Sequence, residues 1–252
     1  MLAVGTFRDG LRACAVVPAA AFFLMVMSDA QAVDAPGDAD IRWGGEVELG
    51  YVRTTGNTDI ENIVLKAKVE NARPRWAHEL RYNAIRNEDS GRTTAKNSFL
   101  QGQSHYKWSD RQFGFATARY EQDDFAGYDY RLVGSVGIGR KILHEEDLLL
   151  ELEIGAGGRK TAYIDTGDVS EAVGRVAGKF KWQLSETSEF LQELYSEIGE
   201  DNAVTDSLSE LKVKVIGQLA VKMSVRVTHN TDVPPDTDKT DVKSAVTVVY
   251  DF

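Results

Sequence analysis

Residues 240–252 read Thr-Asp-Val-Lys-Ser-Ala-Val-Thr-Val-Val-Tyr-Asp-Phe and end the chain. Every second residue back from Phe252 is apolar or small, and the residues between them are mostly polar or small. The alternate residues are Tyr250, Val248, Val246, Ser244 and Val242. A repeat of two predicts a β-strand with one apolar face. At this length the strand can cross a bilayer at a tilt.

The end of this strand carries a second feature. A terminal Phe252 that follows Tyr250 on the same face resembles the closing strand of a bacterial outer-membrane β-barrel. The resemblance implies that the barrel-insertion machinery is a partner during assembly. The residues assigned to this assembly signal are Val246, Val248, Tyr250 and Phe252.

The start of the chain follows a different pattern. Two basic residues, Arg8 and Arg12, precede an apolar run over residues 13–27, and Ala30 and Ala32 occupy the small-x-small positions of a cleavage site. This arrangement predicts a signal peptide that is removed after Ala32. The expected organisation is a signal peptide at 1–32 and one barrel domain at 33–252.

The composition excludes several kinds of function. The net charge is −10, and there is no basic run, which argues against nucleic-acid binding. The single cysteine, Cys14, lies in the expected signal peptide, so the mature chain has no thiol or disulfide chemistry. No His or Cys spacing indicates a metal site, and nothing points to a cofactor.

Twelve strand-like segments follow one another from about residue 42 to the end of the chain. Connections after even strands are short, and those after odd strands are mostly longer and acidic, such as residues 123–129, 160–171 and 231–240. Outer-membrane barrels have short periplasmic turns and longer external loops. The sequence therefore predicts an all-β fold, a transmembrane antiparallel up-and-down β-barrel of about twelve strands, with both termini in the periplasm.

The aromatic residues agree with a membrane barrel. All four tryptophans fall on apolar faces at the predicted periplasmic ends of their strands, as expected for an aromatic girdle at headgroup depth. They are Trp43, Trp76, Trp108 and Trp182. Five tyrosines are expected nearer the opposite end, where they could form parts of a second girdle: Tyr51, Tyr82, Tyr120, Tyr130 and Tyr195.

The opposite strand faces carry charges that alternate in sign between neighbouring strands. The expected lumen charges are Glu46 and Glu48 beside Lys66 and Lys68; Glu151 and Glu153 beside Arg175, Lys179 and Lys181; and Glu193 and Glu197 between that strand and Lys212 and Lys214. Barrel closure is expected to bring Lys243 beside Glu46 and Glu48. The favoured interpretation is a set of ion pairs that fill much of a polar lumen. The alternative is a charged constriction that selects a solute.

The segment 45–51, Gly-Glu-Val-Glu-Leu-Gly-Tyr, followed by Thr-Thr-Gly-Asn-Thr at 54–58, resembles the first hairpin of the salt-induced outer-membrane protein family, a family of unknown function. The closing Tyr-x-Phe also fits this family. The resemblance covers the whole mature chain and implies an outer-membrane barrel with no established activity. It supplies no catalytic residues.

The expected function is a non-enzymatic component of the envelope of a Gram-negative bacterium, in contact with outer-membrane lipids and lipopolysaccharide. It is either structural or a narrow channel for small solutes, and the resemblance suggests a link to salt or envelope stress.

Two alternatives stay open. A lipid-modifying barrel enzyme would require His229 and a serine such as Ser244 to meet on the lipid-facing side. A soluble periplasmic β-sandwich or lipocalin-like binder would turn the apolar faces inward. A calcium site at Asp236, Asp238 and Asp241 is disfavoured, because the loop lacks a glycine and a closing glutamate.

Overall fold

A computed structural model describes residues 41–54, 60–123, 126–164, 167–233 and 238–252. The predicted signal peptide at 1–32 and the Gly-Asn-Thr hairpin turn at 56–58 lie outside these residues. The strands are β1 (Arg42–Thr54), β2 (Ile60–Ala72), β3 (Trp76–Asp89), β4 (Arg92–Lys107), β5 (Gln112–Asp123), β6 (Tyr128–His144), β7 (Leu148–Tyr163), β8 (Gly167–Ser185), β9 (Ser188–Ile198), β10 (Ala203–Ile216), β11 (Leu219–Asn230) and β12 (Thr240–Asp251).

The strands form a closed barrel in which each strand pairs with its predecessor in the chain and β12 returns to β1. All of these pairings are antiparallel. The predicted up-and-down barrel of twelve strands is confirmed. Within the described ranges, no helix has the length and apolar character needed to cross a membrane.

The two faces of the wall have opposite characters. Outward residues are large, apolar and exposed; Val136, for example, is 64% exposed. Inward residues include buried charges, and Glu197 is 2% exposed. A soluble sandwich or lipocalin-like binder buries its apolar faces, so this arrangement contradicts that alternative. An apolar exterior around a polar interior is the arrangement of a transmembrane barrel.

The four tryptophans lie at one end of the barrel, because odd strands begin and even strands end there. We call this the tryptophan end and the opposite one the loop end. All four side chains point outward and are exposed. Tyr106, Tyr250 and Phe252 are exposed near the same end, which gives this end a belt of aromatic rings.

The largest difference from the predicted connections lies between β7 and β8. The long loop expected at residues 160–171 is replaced by strand, since β7 continues to Tyr163 and β8 begins at Gly167. At the loop end β8 therefore extends beyond β9, whose last residue, Ile198, pairs with Gly174. The β3–β4 turn is tight, and both of its central residues, Ser90 and Gly91, have positive φ angles of 52° and 76°. This is the type I′ geometry that matches the twist of a hairpin.

The seam between β1 and β12 is short. Residues 46–49 of β1 pair with 251–248 of β12, whereas β1 pairs with β2 along its whole length. Beyond the ladder, Gly45 and Phe252 exchange two backbone hydrogen bonds of 3.0 Å each. The closure of the barrel therefore depends on the last five residues of the chain.

Candidate functional site: the barrel lumen

A cluster of opposite charges fills one side of the lumen near the tryptophan end. Lys222 is its centre: Nζ donates to Glu46 Oε1 at 2.8 Å and to Glu48 Oε1 at 2.7 Å. Lys66 lies 3.3 Å from Glu48, and Lys68 lies 3.5 Å from Glu46. We call this set, together with Glu210, Lys212 and Asp251, the seam cluster. It joins β1 and β2 to β10, β11 and β12 across the inside of the seam.

Two lysines have partners that the sequence did not indicate. Lys212 was expected near Glu193 and Glu197, but it contacts Asp251 and lies 3.0 Å from Glu46. Lys243 was expected beside Glu46 and Glu48, but it lies 3.4 Å from Asp123. The register explains the second difference, because Glu48 pairs with Val249, six residues from Lys243 along β12. Lys214 is exposed at the tryptophan end of β10.

A second cluster closes the lumen closer to the loop end. Glu197 accepts hydrogen bonds from Arg119 Nη2 at 2.9 Å and from Arg175 Nη1 at 3.2 Å. The Tyr195 ring lies between these guanidinium groups, 4.9 Å from Arg119 Cζ and 5.0 Å from Arg175 Cζ. With the neighbouring Phe99, Asp206 and Arg226 we call this set the roof cluster. The prediction that Tyr195 belongs to an outer girdle is wrong, because its side chain points into the lumen.

A further pair lies beyond the roof cluster towards the loop end. Arg159 donates to Glu171 Oε1 from Nε at 2.9 Å and from Nη2 at 2.7 Å, and it also contacts the carbonyl oxygen of Asn202. Arg159 is buried, as is Arg131 on the neighbouring strand. The guanidinium of Arg131 lies 4.4 Å from the centre of the Tyr128 ring. Charged and aromatic groups thus also fill the lumen between the roof cluster and the loop end.

The basic residues of β8 pair mainly with β9. Arg175 lies 3.2 Å from Glu197, Lys179 lies 3.5 Å from Glu193, and Lys181 lies 2.7 Å from Glu189. The expected partners on β7 are less engaged. Glu153 lies 3.9 Å from Arg175 and accepts a 3.2 Å hydrogen bond from Gln103, while Glu151 makes no ion pair within 4.0 Å among the described residues. The two β7 carboxylates therefore retain capacity for another partner.

Sequence reasoning missed an apolar part of the lumen. Phe113 and Phe115 on β5 are 2% and 4% exposed and point inward. They cover a wall of β6 and β7 that carries glycine at the facing positions: a Cβ on Gly139 would lie 2.3 Å from the Phe113 ring, and one on Gly155 would lie 2.8 Å from the Phe115 ring. The glycines at inward positions of β6 and β7 were the available signal, because such positions leave room for a ring from another strand.

A cavity of about 300 Å³ lies between these groups and is lined by residues from β2, β3, β4 and β7–β11. Ala77, Leu149 and Glu151 line its part near the tryptophan end, whereas Phe99, Tyr195 and Arg226 line its innermost part. Arg81 crosses one side and donates to Glu193 at 2.6 and 2.9 Å. The lumen is therefore a vestibule that leads from the tryptophan end to the roof cluster.

The closing strand has the face that the sequence indicates. Val246, Val248, Tyr250 and Phe252 are all exposed on the outside of the barrel. The Tyr250 hydroxyl donates to Gln218 Oε1 at 2.5 Å in the adjacent turn. The Phe252 ring lies against the backbone of Gly45, where an added Cβ would come within 2.5 Å of it. Phe252 thus holds the first and last strands together on the lipid side.

The residues proposed for the enzyme alternative do not meet. His229 Nδ1 lies 2.8 Å from Thr240 Oγ1, the residue opposite it on β12. Ser244 is opposite Val225, four residues along β11 from His229. The described residues contain no group of His, Cys, Asp or Glu that could hold a metal. Of the acidic loop considered for calcium, Asp236 lies outside the described residues.

The family and the curated relative that match this sequence are described as of unknown function and as uncharacterised. Residues 47–252 match the family described as a protein of unknown function, DUF481. An uncharacterised protein of Escherichia coli strain K12, YdiY, is 25% identical over 220 residues, which is 86% of each chain.

Among solved structures, the NanC porin superposes with a TM-score of 0.53 at 12% identity, over 82% of this chain and 98% of the porin. At this identity the likeness concerns the fold alone. The sequence match confirms the resemblance drawn from the first hairpin and the closing strand. The chain is an outer-membrane β-barrel protein and belongs to the DUF481 family of unknown function.

Proposed function

We propose that the protein is a non-enzymatic outer-membrane barrel whose lumen is closed to free diffusion and open as a vestibule from one side. The roof cluster carries the proposal. Glu197 is almost fully buried between two arginines, and the Tyr195 ring fills the space between their guanidinium groups. An open pore would leave these groups in water. At most, the barrel passes a small solute slowly when the roof cluster rearranges.

The proposed placement puts the tryptophan end, both termini and the vestibule mouth in the periplasm, following removal of residues 1–32 as a signal peptide. Two features of the connections support this orientation. The connections at the tryptophan end are short, the loop end carries the longer acidic connections, and external loops of outer-membrane barrels are the longer ones. Acidic loops outside the cell would meet lipopolysaccharide through bridging divalent ions, and the insertion machinery would act on the periplasmic end of β12.

Conductance tests the closed lumen. We expect the purified protein in a planar bilayer to show small or undetectable steps, because the proposed closure at the roof cluster interrupts the water path. The double variant Phe99→Ala/Tyr195→Ala removes two rings from the roof and should produce measurable steps. The lipid-facing variant Tyr82→Ala serves as the matched control and should behave like the parent. A large, stable conductance of the unmodified protein would contradict the proposal.

Protease accessibility tests the orientation. A protease site inserted near Pro234, between β11 and β12, should be cut on intact cells, because that connection is at the loop end. A site inserted near Glu186, in the β8–β9 turn at the tryptophan end, should be cut only after the outer membrane is permeabilised. The reverse pattern would place the vestibule mouth on the cell surface.

A further inference from the structure

The vestibule has the features of a binding site for a charged small molecule. Its volume of about 300 Å³ reaches the lower limit of ordinary ligand pockets. Six carboxylates and four lysine or arginine side chains line it. A ligand with excess positive charge would therefore be attracted into it. An acidic lining alone does not indicate which ligand binds. Two further observations in the vestibule indicate its chemistry.

The first observation concerns the carboxylates on β7. Glu151 and Glu153 point into the same cavity, two residues apart on one strand. The basic residues of β8, which could have neutralised them, are engaged by Glu189, Glu193 and Glu197 on β9. Glu153 Oε1 accepts from Gln103 and lies 3.4 Å from His105 Nε2, whereas Glu153 Oε2 has, among the described residues, only Arg175 at 3.9 Å. Glu151 and the Oε2 side of Glu153 thus form an acidic wall that is available to ammonium groups of a ligand.

The second observation concerns Arg175 at the inner end of the cavity. The residue is 6% exposed, and its Nε has no hydrogen-bond partner among the described residues. Its Nη2 lies 3.9 Å from Glu153, which is beyond hydrogen-bond distance, so the 3.2 Å bond from Nη1 to Glu197 is the one side-chain hydrogen bond that Arg175 makes to the described residues. A guanidinium carries five N–H donors, and buried donors are normally satisfied. An acceptor such as a carboxylate, arriving through the cavity, would satisfy Arg175 after a small movement of its side chain.

The spacing of these groups along the wall limits the size of the ligand. Arg175 is opposite Gly155 in the β7–β8 ladder. Arg175 Nη2 and the Glu153 carboxylate lie 3.9 Å apart, so a carboxylate and an ammonium group on one carbon can contact both. Glu151 precedes Glu153 by two residues on β7, roughly 7 Å along the strand, which a side chain of four methylene groups with a terminal ammonium can bridge. These separations and charges are those of a basic amino acid.

We propose that the vestibule binds a small solute of the basic amino acid class, with its carboxylate at Arg175 and its ammonium groups at Glu153 and Glu151. The proposal rests on the vestibule described under the proposed function and names the chemistry that the vestibule accepts. Selectivity follows from the two ends of the site. A diamine leaves Arg175 without an acceptor, and an acidic amino acid places a carboxylate against Glu151.

Isothermal titration calorimetry on the purified barrel in detergent tests this proposal with L-lysine, cadaverine and L-glutamate as probes. We expect lysine to bind at least tenfold more tightly than cadaverine, which lacks the carboxylate, and glutamate to give no heat. The variant Glu151→Gln/Glu153→Gln should weaken lysine binding at least tenfold. Glu189→Gln, which changes a lumen carboxylate outside the cavity, should leave lysine binding unchanged.

The conservative variant Arg175→Lys keeps a positive charge beside Glu197 and removes the fork of donors. Lysine binding should fall to the level of cadaverine, whose own affinity should stay the same. Equal affinities for lysine and cadaverine in the parent would overturn the role of Arg175. Preferential binding of glutamate, or no binding of any probe, would overturn the proposal. Calorimetry detects binding whether or not the barrel conducts ions, so the two proposals can fail separately. An open pore that binds lysine would refute only the closed lumen. A closed barrel that binds no probe would refute only this binding site.

Discussion

Replacing Lys222 with methionine should lower the thermal midpoint of the barrel in detergent by on the order of 10 °C. The ammonium group of Lys222 is bound by two carboxylates and lies 3.7 Å from a third, that of Glu210. The side chain is 4% exposed. Its removal would leave three carboxylates close together with less positive charge, and breaking a buried ion pair costs about 3–5 kcal/mol.

The same experiment separates charge from packing. Methionine approximates the length of the lysine stem, so most of the loss of thermal stability should come from the carboxylates that are left without a counter-ion. Adding Glu46→Gln/Glu48→Gln to the Lys222→Met variant should reverse a large part of the decrease in the thermal midpoint, since both neutral amides can share hydrogen bonds. Lys214→Met, an exposed lysine at the end of β10, is the matched control and should change little. An unchanged midpoint for Lys222→Met would mean that water, rather than Lys222, compensates these carboxylates.

Deletion of Phe252 should strongly reduce the amount of protein in the outer membrane. The deletion removes the two hydrogen bonds to Gly45 and the ring that lies against it. Because the β1–β12 ladder is short, the last residue contributes a large share of the seam. Immunoblots of membrane fractions, with and without boiling, would measure both the amount and the heat-modifiable folded form.

Substitution distinguishes the ring from the chain length. Phe252→Tyr keeps an aromatic ring on the lipid side and should preserve assembly, whereas Phe252→Asp should resemble the deletion. Normal membrane levels and normal heat-modifiability in the aspartate variant would show that the terminal aromatic is not needed for insertion or closure.

The number of strands and the direction of most side chains could be predicted from sequence, because lipid outside and charges inside impose a repeat of two. In β5 and β9, alternation alone does not decide which face points inward, for a physical reason. Phe113, Phe115, Leu191 and Tyr195 are apolar or aromatic residues on the inner face, so both faces of these strands contain rings or aliphatic groups. For this reason the sequence prediction placed Tyr195 in a lipid-facing girdle, whereas its side chain points into the lumen.

Ion pairs between neighbouring hairpin strands, such as Glu48 with Lys66, follow from local register and were predicted. Pairs across the lumen were not. Lys212 with Glu46, Lys243 with Asp123 and Arg81 with Glu193 join strands that are distant in sequence. These partners depend on the shear of the barrel, which is the offset in register that accumulates from strand to strand before β12 meets β1. Alternation within single strands contains no information on the shear.

The short seam also has a consequence for the order of folding. Eleven of the strand pairings join consecutive segments and can form as hairpins, but closure joins residues nearly a whole chain apart; Thr247 Oγ1, for example, donates to Glu48 Oε2 across 199 positions. Contacts of such long range form late, since the entropy of the intervening chain opposes them. Until that moment Glu46 and Glu48 have their lysine neighbours on β2 but lack Lys222 on β11. The first edge of an unclosed sheet therefore carries carboxylates that are only partly compensated, and these oppose its release into lipid until the last strand arrives.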